Sequence, residues 1–353
     1  MTAHDAYSVL MERHGYPTSE RYRRILEYLI TPQQATIVVE LPAPLEELAG
    51  TLHMDADAIS RELNDLYDKG VVFPRNFQTR EGYRFARNVM QLHDASQSSI
   101  KTDPVRERRL FELWKDFCHN EWYPDMARDS AAVGVPLTRV VPAYQAIKDI
   151  PGILPYEDIR EMVRAAQTMA VCNCSCRQRA GAVADGCERS EVENCLQFNR
   201  GAEYQINRGS GRQLTYEETM AIVDSTEADG LVHTWPNMSM MSFNTLCNCC
   251  RDCCVLWVPL DENGVHVSKR WAKSRFEARV DIDSCNGCQD CVERCQFDAI
   301  EMVKPEGSKK LKAAIDPEKC FGCGVCVLAC EPQALTMALV RPPEHIPQVA
   351  AAA

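Results

Sequence analysis

The sequence predicts an α+β protein, and three patterns support that class. Apolar residues recur with helical spacing in the N-terminal part, as at Tyr22, Ile25 and Leu29. The runs VVF at 71–73 and GYRF at 82–85 predict a small two-stranded element. A cysteine-rich segment is duplicated near the C-terminal end, and the sequence that flanks it is duplicated too.

Changes in pattern divide the chain into five predicted segments. They are a helical and short-stranded domain at 1–95, a helical connector at 96–170, a cysteine-rich domain at 171–278, the duplicated module at 279–340, and a proline-rich tail at 341–353. The tail has little to bury, so we expect it to be extended or disordered.

Cysteine usage sets the chemical class. The chain has 19 cysteines, and all but Cys118 lie between Cys172 and Cys330. The N-terminal residues have no apolar signal-peptide core, and no apolar run is long enough to span a membrane. We therefore expect a cytoplasmic protein without membrane insertion. In that reducing compartment clustered thiols bind metal and do not form disulfides.

The net charge of −11 argues against nucleic acid as a partner, because nucleic-acid binding needs a basic face. An acidic surface suits docking to basic patches on redox proteins, although it also simply favours solubility.

The duplicated module has the spacing of iron–sulfur ligands, in which the fourth cysteine of each run binds the other run's cluster. Its cysteines recur at an offset of 35 residues. One predicted [4Fe–4S] cluster has the ligands Cys285, Cys288, Cys291 and Cys330, and the other has Cys320, Cys323, Cys326 and Cys295. The module resembles bacterial two-cluster ferredoxins. It departs from them mildly at Gln296, which replaces the usual proline, and at Pro332, where that proline is displaced by one position.

The central segment holds ten more cysteines in two groups. They are Cys172, Cys174, Cys176, Cys187 and Cys195, then Cys247, Cys249, Cys250, Cys253 and Cys254. Ten thiols suffice for two further [4Fe–4S] clusters. The side chains of adjacent cysteines diverge, so the second group is expected to divide its thiols between sites. Zinc remains the alternative, because ligand type alone does not separate zinc from iron.

The motifs CxCR…C…CL, GLVH and CNCCxxCC, together with ILPYED at 153–158, resemble a loosely defined family of multi-cluster iron–sulfur proteins found mainly in anaerobic bacteria. The resemblance implies further [4Fe–4S] clusters and electron transfer within a larger redox complex. It implies Cys174, Cys176, Cys187 and Cys195 as ligands in the first group, with Cys172 as an extra cysteine.

Two polar residues are candidates for tuning a cluster. Arg177, beside Cys176, is a candidate hydrogen-bond donor to cluster sulfur, with ordinary packing as the alternative. His233, beside the aromatic Trp235, is a candidate ligand or proton donor, although such a histidine is more often packed and hydrogen-bonded.

Residues 1–95 resemble a winged-helix domain. The helix that would enter a DNA groove carries Asp55, Asp57, Asp65 and Asp68, which phosphates would repel. We therefore expect this domain to dock protein.

Three local predictions concern the connecting segments. Ile159, Met162 and Met169 predict an amphipathic helix, and Thr215 with Glu218 predicts a capping box. The basic stretch at 268–279 is expected to be a solvated linker, or alternatively a dock for an acidic partner.

These patterns predict an electron-transfer subunit that acts with a flavoprotein or metalloenzyme partner, in a hetero-oligomeric complex or as a homo-oligomer. Two alternatives stay open. One is a reductase whose active site is an unusual cluster in the five-cysteine segment 247–254. The other is a redox-sensing regulator.

Overall fold

The computed structural model describes residues 5–184, 186–307 and 309–348, in which helices and strands are mixed, as the α+β class predicts. The chain forms two compact units. The first contains the residues up to 122 with 172–192 and 203–212, and the second contains 123–171, 193–202 and the residues from 213 onward.

Helices dominate the first unit. Its elements are α1 Ala6–Arg13, α2 Glu20–Leu29, α3 Pro32–Val39, α4 Leu45–Leu52, α5 Ala56–Asp68, β1 Val72–Phe73, β2 Arg84–Phe85, α6 Val89–Gln97, α7 Arg108–Phe117 and a π-helical turn Cys118–Trp122. The first unit also contains α11 Ser175–Val183 and most of α12 Arg200–Arg208, which come later in the sequence.

Helix α5 is bounded by residues that favour helix ends. Asp55 caps its N-terminus by accepting a hydrogen bond from Ala58 N–H, and Gly70 follows its C-terminal end with a positive φ of 78°. Strands β1 and β2 then pair antiparallel, as predicted. The Arg208 guanidinium donates to the Asp68 carbonyl at the last turn of α5 from Nε at 3.0 Å and from Nη2 at 2.9 Å. Residues far apart in sequence therefore complete this end of the helix.

The second unit combines a large sheet with short helices. Its elements are α8 Tyr123–Ala132, β3 Thr138–Val141, α9 Tyr144–Ile147, α10 Ile159–Arg164, β4 Met169–Cys172, β5 Cys195–Phe198, β6 Arg212–Gln213, α13 Tyr216–Ala228, β7 Val232–Pro236, β8 Thr245–Cys249, α14 Val258–Glu262, β9 Trp271–Ala272, β10 Phe276–Val280, α15 Asp290–Arg294, β11 Ile300–Val303, β12 Lys312–Ile315, α16 Val325–Leu328 and β13 Leu335–Leu339. The last residue of β4, Cys172, and the first residue of β6, Arg212, belong to the first unit. Single 3₁₀ turns lie at Pro155–Glu157, Val267–Lys269 and Pro343–His345.

Seven of these strands form one sheet in the order β6-β4-β5-β8-β7-β3-β9. Strands β5, β8, β7 and β3 pair antiparallel with their neighbours, and β9 joins β3 in parallel. Alternate residues point to opposite faces, so Val141 packs with α10 and α13 while Val140 packs into the core shared with the duplicated module. The sheet thus has one face against helices and the other against the cysteine module.

Two local predictions about the connecting segments met different outcomes. The capping box is confirmed, because Thr215 and Glu218 exchange hydrogen bonds at the start of α13. The helix predicted from Ile159 to Met169 is wrong in its second half, because α10 ends at Arg164 and Met169 begins β4.

The basic stretch 268–279 is not a solvated linker. It forms β9 and part of β10, and the side chains of Trp271 and Phe276 are fully buried. Arg275 is also buried and donates to Glu157 Oε2 over 2.7 Å. Burial of this stretch therefore ties the module to the sheet.

The first part of the proline-rich tail is also packed. Ile346 is buried, and Pro347 accepts a hydrogen bond from Ser239 N–H at 2.8 Å. The expectation of disorder differs from the structure up to 348, and residues 349–353 lie outside the described residues. Among the helices of the described ranges, none combines the length and hydrophobicity that crossing a membrane requires.

Candidate metal centres

The duplicated module is symmetric in its backbone as well as in its sequence. Strand β10 pairs antiparallel with β13, and β11 pairs antiparallel with β12. The register Val280↔Leu335 in one pair corresponds to Ile315↔Ile300 in the other, with the 35-residue offset kept. Each strand pair therefore joins one strand from each copy, so the two copies form a single interlocked structure.

The loops that carry the cysteines repeat the same backbone turns. Positive φ angles occur at Gly287 and Gly322, at 82° and 70°, and again at Gln289 and Gly324, at 79° and 78°. A side chain at Gly287 would place its Cβ 2.5 Å from the Leu311 carbonyl oxygen. Glycine is therefore required there because the loop folds tightly over its neighbouring strand.

The first predicted ligand set surrounds one cavity. Cys285, Cys288, Cys291 and Cys330 line it together with apolar side chains that include Met302. Burial, followed by the charges of Cys288, Cys330 and Cys285, raises the pKa of Cys291 to about 11. The fourth cysteine of the second copy therefore lies with the first three of the first copy.

The second predicted set is more deeply enclosed. Burial raises the pKa of Cys323 to about 12, and the nearby thiols of Cys295 and Cys320 raise it further. Burial also raises the pKa of Cys326 well above its ordinary value. Ala299 N–H donates to Cys295 Sγ at 3.3 Å. Because the charge of Cys295 acts on both Cys323 and Cys326, Cys295 lies with the first three cysteines of the second copy.

These two sets fit [4Fe–4S] clusters. The first set lines one cavity, three thiols of the second set are buried, and thiolate sulfur is the ligand that iron–sulfur clusters take. Burial raises the pKa of Cys291, Cys295, Cys323 and Cys326, which favours their protonated form without metal, so binding a cluster would release these protons. Such a cluster accepts and returns one electron at a time.

Four of the five thiols in the segment 247–254 form two pairs. Cys249 Sγ lies 3.3 Å from Cys254 Sγ, and Cys250 Sγ lies 3.4 Å from Cys253 Sγ. Adjacent cysteines therefore point to different places, as the sequence predicts. Cys249 and Cys254 are buried in the core shared with the duplicated module, and Cys247 packs partly against it.

Arg270 lies beside the Cys249–Cys254 pair. Burial lowers the pKa of Arg270, and the negative charge of a Cys254 thiolate raises it. Its Nε atom is buried and has no hydrogen-bond partner within the described residues. A cationic donor next to paired thiols fits a site that holds a negatively charged cluster.

The five-cysteine segment is bonded directly to the duplicated module. Arg251 N–H donates to Gln296 Oε1, and Gln296 Nε2 donates to the Gly230 carbonyl, each over 2.7 Å. The Arg251 guanidinium also pairs with Asp298 at 2.5 Å and Asp261 at 2.6 Å. Sequence reasoning missed this junction. Its only sequence signal is that Gln296 stands where the module usually has proline.

Aromatic rings fill the space beside this junction. Trp257, three residues after Cys254, lies 4.8 Å from Phe297 between ring centroids. Phe297 stacks on Phe321 at 4.3 Å, and Phe321 follows Cys320 directly. The two cysteine segments are therefore joined by close contacts as well as by hydrogen bonds.

The first central group lies partly in each unit. Cys174, Cys176 and Cys187 belong to the first unit, as does the buried Cys172, and Cys195 belongs to the second. A hydrogen bond with Cys176, together with burial, raises the pKa of Cys174 well above its ordinary value. Gln197 Nε2 donates to Cys195 Sγ at 3.0 Å.

Arg177 and His233, the two polar candidates, are both buried. The positive charge of Arg177 lowers the pKa of Cys174, so the guanidinium lies near that thiol. His233 Nδ1 bonds to Asn248 Oδ1 at 2.7 Å, and its Nε2 lies 3.4 Å from Glu227 Oε1. His233 is thus packed and hydrogen-bonded, and it contacts the strand residue between Cys247 and Cys249.

A symmetric module with two sets of four thiols defines a ferredoxin-like iron–sulfur protein with the capacity for electron transfer. Residues 284–334 match the family model described as the 4Fe-4S dicluster domain. No curated protein and no solved structure matches the chain.

Proposed function

We propose that this protein is an electron-transfer subunit that relays electrons through four [4Fe–4S] clusters to or from a partner oxidoreductase. Two clusters belong to the duplicated module and two to the central cysteines. The observation that carries the proposal is the junction of Arg251 with Gln296, which bonds the five-cysteine segment to the residue after Cys295.

The protein's own residues supply three things that a relay requires. We call the site of Cys320, Cys323, Cys326 and Cys295 the inner site. Its buried cysteines exclude water, so charges there are weakly screened. Gln296 and Arg251 fix the spacing between that site and the five-cysteine segment. The Trp257–Phe297 contact excludes solvent between them.

The N-terminal residues belong to this proposal as a winged-helix-like docking domain. Asp57, Asp65 and Asp68 on α5 are exposed, and their charges repel phosphates. A protein surface is the fitting partner, either on a flavoprotein or metalloenzyme or on another copy of the chain.

The test is electron delivery within the full, anaerobically prepared protein. Reduction by methyl viologen radical is followed by freeze-quench EPR in the native protein and in Cys323→Ala. The relay predicts that the native central clusters are reduced through the module, and that this exchange slows when the inner module cluster is lost. Equal rates in both proteins would contradict the relay. Turnover of an organic substrate by the isolated chain would favour the reductase alternative.

A further inference from the structure

The loop between β11 and β12 carries a concentrated positive charge on an acidic protein. Lys304, Lys309 and Lys310 are exposed there together with one carboxylate, Glu306, so the loop is net positive, whereas the whole chain has a net charge of −11. We call the three lysines the lysine hairpin. Local charge of sign opposite to the net charge marks a surface that selects its partner by electrostatics.

The lysine hairpin lies beside the ligand set of Cys285, Cys288, Cys291 and Cys330, which we call the outer site. The backbone of Leu311 packs against Gly287, the residue before Cys288. Lys312, at the start of β12, donates from Nζ to the Cys285 carbonyl. Met302 and Ala313, from the two strands of the hairpin, line the cavity of Cys285, Cys288, Cys291 and Cys330. The strands that end in the lysines therefore form one wall of this site.

The outer site is also the accessible one of the two. Cys288 is exposed, whereas Cys320, Cys323 and Cys326 are all buried. Electron transfer between proteins is fastest at the cofactor that a partner approaches most closely, so the Cys288 end suits exchange with a partner.

Apolar side chains are exposed on the same part of the module. Leu311, which follows Lys310 directly, is 46% exposed. Val303, at the end of β11, is 36% exposed. A few apolar residues next to charged ones is the composition of a transient protein interface, in which charge steers the encounter and apolar contact holds it.

We propose that the lysine hairpin docks an acidic electron-carrier protein, and that electrons enter or leave the chain at the Cys288 edge. This rests on the proposed relay function and adds its point of exchange. In the step itself one electron passes from the reduced carrier to the cluster of Cys285, Cys288, Cys291 and Cys330. The carrier is oxidised by one electron, the cluster is reduced by one, and no bond or proton is exchanged.

The test compares two charge reversals of equal size in the full, cluster-loaded protein. The first is Lys304→Glu with Lys309→Glu and Lys310→Glu. The matched control is Arg106→Glu with Arg108→Glu and Arg109→Glu, three exposed arginines of the first unit with 85%, 63% and 59% side-chain exposure. The probe is a purified small acidic ferredoxin. Its binding is measured in the oxidised state, and its electron transfer is measured by stopped-flow absorbance.

The hairpin variant should bind the probe roughly tenfold more weakly, or worse, at low salt, and the control should change little. The difference should shrink as salt is raised, because exposed charges are screened beyond about 8 Å at physiological ionic strength. Equal weakening in both variants, or no weakening in the hairpin variant, would overturn the proposal.

Methyl viologen separates this proposal from the relay. The hairpin variant should accept electrons from viologen at no less than the native rate, because the viologen radical is a cation, and it should keep the native iron content. If viologen electrons reach the outer cluster but never the central ones, the relay fails while the docking site stands.

Discussion

The backbone N–H of Arg251 donates a hydrogen bond to the side-chain amide oxygen of Gln296 over 2.7 Å. Arg251 lies between Cys250 and Cys253 in the five-cysteine segment, and Gln296 follows Cys295 of the duplicated module. Gln296 is 9% exposed, and its amide nitrogen donates a hydrogen bond to the Gly230 carbonyl. Both ends of its amide therefore hold the central segment against the module.

Gln296→Leu should loosen this junction without removing a ligand. It leaves a buried N–H and a buried carbonyl unsatisfied, which costs about 1–3 kcal/mol. Hydrogen-exchange mass spectrometry should show faster exchange in the peptides that cover residues 247–258. Glu331→Leu is the matched control, because Glu331 is the equivalent residue of the second copy and is exposed. Equal exchange in the two variants would count against the junction.

Cys330→Ala should abolish the cluster of Cys285, Cys288 and Cys291, because the structure places Cys330 in their cavity. Cys295→Ala should instead abolish the cluster of Cys320, Cys323 and Cys326. EPR of the dithionite-reduced variants distinguishes the two losses. If each variant lost the cluster of its own copy, the interlocked assignment would be wrong.

Glu157→Gln should destabilise the second unit strongly. Glu157 and Arg275 form a buried ion pair with side chains 1% and 3% exposed, and breaking such a pair costs about 3–5 kcal/mol. Anaerobic thermal unfolding measures the effect. Glu161→Gln is the control: its pair with Arg164 is 48% and 54% exposed, so the change should stay within about 0.5 kcal/mol. Similar melting temperatures for the two variants would refute this role of the ion pair.

The full chain should not bind duplex DNA tightly. The exposed face of α5 carries Asp57, Asp65 and Asp68. Acidic residues do not release counterions from DNA phosphates as basic residues do, so this face gains no affinity for DNA. Reversing these three charges to lysine should weaken assembly with a partner or a second copy and leave iron content unchanged. Sub-micromolar DNA binding that falls steeply with added salt would instead support the regulator alternative.

Local patterns predicted the ligand chemistry because cysteine spacing directly reflects how a chain wraps a cluster. The ligand pattern of two-cluster modules predicts the grouping of Cys330 with Cys285, and both residues line one cavity. The capping box of Thr215 and Glu218 placed the start of α13 correctly, since caps act within four residues of sequence. These features depend on neighbours along the chain.

Tertiary contacts explain what the sequence did not reveal. Met169 continues the helical spacing of apolar residues, but in the structure it is the first residue of strand β4. Charges at 268–279 indicated solvent, yet Arg275 is neutralised by Glu157, more than a hundred residues earlier. Gln296 looked like a mild departure from a motif because its partners, Arg251 and Gly230, are distant in sequence.

The central claim is that eight of the ten central cysteines hold two [4Fe–4S] clusters that extend the module's electron path. Its most direct test is the iron, sulfide and zinc content of protein purified without oxygen, read together with EPR of the fully reduced state. The account predicts about sixteen irons per chain, with matching acid-labile sulfide and signals from interacting clusters. About eight irons accompanied by bound zinc would show that the central cysteines form structural metal sites, and would contradict the relay.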